Sequence, residues 1–99
     1  MLINRTERSN FEWKLFFIIS QDDNNRKLIK EISNLYHNLF LETGENKFRF
    51  GELYCNRLLE NKPFSSTEDL ISDLHFHKSS FYNYRKDVLD KLYKMIYPK

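Results

Sequence analysis

Two histidines, His75 and His77, flank Phe76, and the chain's one cysteine, Cys55, lies upstream of them. Nitrogen and sulfur donors suggest zinc. However, His-x-His plus a distant cysteine matches no standard ligand spacing, and a fourth donor is missing. The two histidines therefore read as turn residues within reach of a phosphate. His37 falls in the middle of a helical pattern, where a structural role is the default. Cys55 sits in an amphipathic stretch with no base partner, which suits a small buried hydrophobe better than a nucleophile. The only glycines are Gly44 and Gly51, so no phosphate-cradling loop exists. No spacing singles out a catalytic pair among the acids. The expectation is a protein that is not an enzyme and that needs neither metal nor cofactor.

A second group of polar residues suits recognition rather than catalysis. It lies in "FHKSSFYNYRKDVLDKLYKMIYPK", Phe76 to Lys99. Successive residues of a helix step about 100° around its axis. Phe81, Tyr84, Val88, Leu92 and Met95 then share one apolar stripe. With that stripe inward, Ser79, Asn83, Lys86 and Asp90 point outward, and Tyr82 and Arg85 lie on the flanks. Asparagine can pair at two points with adenine. Lysine, arginine, serine and tyrosine can grip phosphates or base edges, and the free amides of a helix start favour a phosphate. The expected DNA-contacting set is Lys78, Ser79, Ser80, Tyr82, Asn83, Arg85 and Lys86.

Charge agrees in sign. Net charge is +2, but residues 78–99 carry six basic and two acidic groups, while residues 1–77 carry ten basic and twelve acidic. The positive excess is confined to one end, where an anionic partner would dock.

The elements that must position these residues read as helices. Alanine is absent and valine occurs once, so the core must come from Leu, Ile, Phe and Tyr. So little valine, with two Gly and two Pro, leans toward helix. Residues 1–9 are polar and expected to fray. In "FEWKLFFIIS" a stripe of Phe11, Leu15, Ile18 and Ile19 fits a helix, but the segment is apolar nearly all round, so a buried helix and a strand both remain open. "QDDNN" breaks the chain. A long helix follows with Leu28, Ile32, Leu35, Leu39 and Phe40 on one face, ending at Gly44. Residues 26–41 are the candidate homodimer interface, with core packing as the alternative. A third helix is expected from about Gly51 to Asn61, bearing Leu53, Tyr54, Leu58 and Leu59, and stopped by Pro63. Ser65-x-x-Glu68 and Ser66-x-x-Asp69 both offer a cap for a short helix carrying Leu70, Ile71 and Leu74. "HFH" then turns the chain, and a last helix runs from near Lys78 to about Tyr97. Short helix, tight turn and longer basic helix make the helix-turn-helix pattern, with Phe76 plugging the angle. The turn lacks the glycine often found there.

The segment "LISDLHFHKSSFYNYRKDVLDKLYKMI" resembles the C-terminal helix-turn-helix of phage late transcription regulators of the ArpU family, which is itself similar to region four of bacterial sigma factors. Ile71, Leu74, Phe76, Ser80, Phe81, Tyr82, Tyr84, Arg85 and Lys86 carry the resemblance. It covers roughly the last third to half of the chain and does not extend to residues 1–44. The family usually has a capping serine where this chain has His77, so either Ser79 starts the helix or the turn is altered. The family also favours a small residue near Val88.

The resulting expectation is a single all-α domain of about five helices. Residues 1–44 form an N-terminal part for dimerisation or partner binding, and residues 45–99 hold the helix-turn-helix. The resemblance implies a DNA-binding transcription regulator of a phage or mobile element, with duplex DNA as partner and RNA polymerase or another regulatory protein as further candidates. The alternative is a small inhibitor or antirepressor that uses the same surface to block a host or phage protein. One cysteine, no visible signal peptide and no apolar run long enough to span a bilayer suggest a reducing bacterial cytoplasm.

Overall fold

The structure, a computed structural model, describes residues 5–60, 62, 64 and 66–98. Five helices follow one another: α1 (Arg5–Gln21), α2 (Asp23–Thr43), α3 (Asn46–Leu59), α4 (Thr67–Leu74) and α5 (Lys78–Ile96). No strand occurs among the described residues, so the chain is all-α as expected. Pro63, the alternative cap Ser65, and Asn61 as the end of the third helix lie outside the described residues.

α1 is a helix, which resolves its ambiguity. Phe11, Leu15 and Ile19 are buried, whereas Trp13 and Phe17 face solvent. The "QDDNN" break narrows to Asp22, whose carboxylate accepts the Asn24 N–H at 2.8 Å and caps α2. Gly44 ends α2 in the left-handed conformation (φ 69°), with its N–H bonded to the Phe40 carbonyl, a C-terminal cap that glycine adopts without strain.

α2 and α3 form an antiparallel hairpin. Arg26 bonds the Leu59 carbonyl, Ser33 donates to Asn56 at 2.6 Å, His37 pairs with Glu52 at 2.9 Å, and Arg49 lies over the Phe40 ring. These pairs ascend α2 as they descend α3. Gly51 makes the close approach possible, because a Cβ there would stand 2.7 Å from the Tyr36 ring. The expected start of the third helix is thereby corrected. Gly51 lies inside α3, which begins at Asn46, so "KFRF" is helical. The buried face of α2 is also rotated from expectation: Ile29, Ile32, Ser33 and Tyr36 point inward, while Leu35 is exposed. Tyr36 takes the space that the missing side chain of Gly51 leaves.

The core centres on Phe50. Its ring packs against Tyr54, Phe76, Phe81 and Tyr84 at centroid distances of 5.2 to 5.7 Å, with Phe76 and Phe81 edge-on. Such pairs add about 0.5–1.5 kcal/mol each beyond area burial. α5 thus lies with its N-terminal half on α3. Its C-terminal half is held by α1, through Phe11 against Tyr93 (5.2 Å) and Tyr97 (6.2 Å). α4 packs on α3. No helix among the described residues is long and apolar enough to cross a membrane.

Candidate functional site

The connection from α4 to α5 is built by three caps. The Ser66 hydroxyl accepts the Asp69 N–H at 3.3 Å and opens α4. α4 closes at His75, a non-glycine residue in the left-handed region (φ 58°) whose N–H bonds the Ile71 carbonyl. Phe76 then packs edge-on against Phe50 of α3.

His77 is the N-cap of α5. Its Nδ1 accepts the Ser79 N–H at 3.4 Å and shares a hydrogen bond of 2.9 Å with the Ser79 hydroxyl. An imidazole nitrogen therefore takes the place of the serine oxygen usual at such a cap. α5 begins at Lys78, not Ser79.

On α5, Lys78, Ser79, Tyr82, Asn83 and Lys86 are exposed and Ser80 is half-buried. Lys78 pairs with Glu68 of α4 at 3.5 Å, a contact open to water on both sides and so of little energetic weight. Asn83 and Lys86 have no hydrogen bond, ion pair or ring contact from their side chains among the described residues. They are the two groups on this face most available to a partner.

Arg85 departs from its expected place on the flank. It is 6% exposed and its Nη1 donates to Glu12 Oε1 of α1 at 3.0 Å. Glu12, 1% exposed, also accepts from the Tyr54 hydroxyl at 2.6 Å. Burial pushes the Glu12 carboxyl above its ordinary value, against the opposing pull of Tyr54 and Arg85. The reason lies in the helical phase. Arg85 sits near Phe81 and Val88 on the inward arc, and α1 covers that side of α5. The guanidinium also lies over the rings of Phe81 (5.7 Å) and Tyr82 (5.2 Å). Arg85 thus supports the exposed Tyr82 from beneath.

Two more expectations for α5 are corrected. Asp90, placed outward by phase, is buried because α1 covers the C-terminal half of the helix, and Met95, placed inward, is exposed near the helix end, beyond the Phe50-centred core. The exposed residues of α5 therefore lie in its first turns up to Asp87 and again near its end, at Lys94 and Met95.

Sequence reasoning missed Glu12 and Tyr54 as partners of this face. The signal was present: an acid inside the apolar run "FEWKLFFII" needs a buried cation. Cys55 is free and buried, and burial pushes its thiol up to about 12. Among the described residues, no three or more His, Cys, Asp or Glu side chains come together as a metal site. Compared with protein-family models, curated proteins and solved structures, the chain matches none of them.

Proposed function

We propose that this protein is a DNA-binding transcription regulator of a phage or mobile element, acting in a bacterial cytoplasm. In this reading α4, the His75–His77 turn and α5 work as a helix-turn-helix, and the first turns of α5 enter the major groove. The observation that supports it is that Asn83 and Lys86 are exposed on α5 beside Tyr82, Ser79 and Lys78, with no side-chain partner among the described residues. Asn83 reads a base edge, Lys86 meets phosphate or guanine, and Lys78 and Ser79 lie where a helix start meets the backbone. Arg85 acts only through Tyr82. Two copies would pair along the outer side of α2, where Leu35 is exposed, as two-fold operators require.

The test is binding to an AT-rich duplex at low salt, followed by a salt titration. Asn83→Ala lowers discrimination between sites, costing about 1–3 kcal/mol at the preferred base. Lys86→Ala weakens binding and reduces the salt slope by about one. Unchanged affinity and slope in both variants would remove α5 as the reading helix.

One observation favours the rival reading, a small protein that blocks another protein. Glu68 and Asp73 project from α4 next to the same turn, and carboxylates there repel phosphate. Asp73 is tied to Arg57 at 3.0 Å and Glu68 to Lys78, which offsets part of that repulsion. A stoichiometric protein partner from host lysate, with no DNA retained at low salt, selects this second reading.

A further inference from the structure

A cleft of about 250 Å³ opens between α2, α3 and α5. Its walls include three rings, Tyr36 of α2, Phe48 of α3 and Tyr84 of α5, and it also holds Lys47, Lys91 and Asp87. The Tyr36 and Phe48 rings are 6.3 Å apart and tilted by 35°. Each lysine lies over a ring: Lys47 Nζ is 5.0 Å from the Phe48 centroid and Lys91 Nζ is 5.8 Å from that of Tyr36.

Neither lysine has a carboxylate within ion-pair distance among the described residues, although Asp87 lines the same cleft. For Lys91, which is half-buried, this is unusual, because a partly desolvated ammonium gains most from a counter-ion. Two cations and one carboxylate leave one positive charge in excess. Tyr36 is buried against Gly51, while Phe48 and Tyr84 are half-buried and leave apolar ring surface at the cleft, which suits an aromatic body. The volume lies just below the range of about 300–1,000 Å³ usual for small-molecule sites, so the occupant is small.

We infer that this cleft binds a small aromatic monoanion, its ring against Tyr36, Phe48 and Tyr84 and its carboxylate between Lys47 and Lys91. The inference is independent of the DNA reading, because none of these residues belongs to the proposed reading face.

The experiment uses the full chain and 1-naphthoate as probe, followed by two-dimensional amide NMR. The expected result is saturable binding with a dissociation constant of about 1 mM or below. Shifts should centre on Tyr36, Phe48, Tyr84 and Val88. The double variant Lys47→Met/Lys91→Met, checked for an unchanged melting curve, should bind about tenfold more weakly, and so should neutral 1-naphthamide on the wild type. Three outcomes would overturn the site: no saturation, equal binding of acid and amide, or shifts centred on the exposed Trp13 and Phe17 instead.

Discussion

Arg85 and Lys86 are neighbours with the same charge and opposite duties. Arg85→Ala leaves Glu12 buried without its cation, so the acid must either stay charged and unpaired or take up a proton, and removing one member of a buried pair costs about 3–5 kcal/mol. Lys86→Ala removes nothing but a solvated chain, so its effect on stability should stay within about 0.5 kcal/mol. Urea denaturation of the two variants checks the contrast. Equal midpoints would mean that the Glu12–Arg85 pair holds nothing. Any DNA-binding defect of Arg85→Ala has to be read against its loss of fold. The two residues also mark the limit of phase arguments. Ser79, Tyr82, Asn83 and Lys86 were legible as exposed because helix geometry alone places them. Arg85 was misplaced because an arginine near the inward arc can either snorkel to water or find a buried acid, and that acid lies on another helix.

The helices whose ends carry their own chemistry were legible. α2 ends where glycine permits a left-handed residue, α4 starts where a serine can cap, and α5 starts at the first residue after the turn. The start of α3 was not legible, because Glu45 makes no side-chain cap and Gly51 looked like a boundary. Its glycine serves a contact with Tyr36 across the hairpin, which no local pattern reveals. Gly51→Ala should therefore destabilise the protein despite alanine's better helix propensity, because a Cβ 2.7 Å from a buried ring forces the two helices apart. Overpacking of this kind costs about 1–3 kcal/mol. A raised melting temperature in Gly51→Ala would contradict the close approach. At the other end of the hairpin's neighbour, Ser66→Ala should cost about 1 kcal/mol through the lost cap of α4, readable as a lower urea midpoint.

Across the whole molecule, three buried protons respond to alkali together. Burial pushes the Cys55 thiol up to about 12 and raises the Tyr36 and Tyr54 hydroxyls well above their ordinary values. In the unfolded chain these groups ionise at ordinary values, near 8.5 for Cys and 10 for Tyr. The folded state thus holds more protons between about pH 9 and 11, and stability falls as pH rises through that window. Each group contributes a slope of up to about 1.4 kcal/mol per pH unit. Chemical denaturation at pH 8 and pH 10.5 should show the loss, and Cys55→Ser should lessen it. A flat profile would mean that these protons are not held.

Glu12 and Arg85 are separated by 73 positions, and Glu12 and Tyr54 by 42. A ribosome makes the chain from α1 onward, so the acid emerges long before its cation. During synthesis α1 carries a charge with nowhere to bury it, and the apolar stripe beside that charge stays uncovered. The core can close only when α5 has been delivered, at the loop-closure cost that so distant a pair imposes. This one ion pair makes the closing of the core wait until α5 has been synthesised.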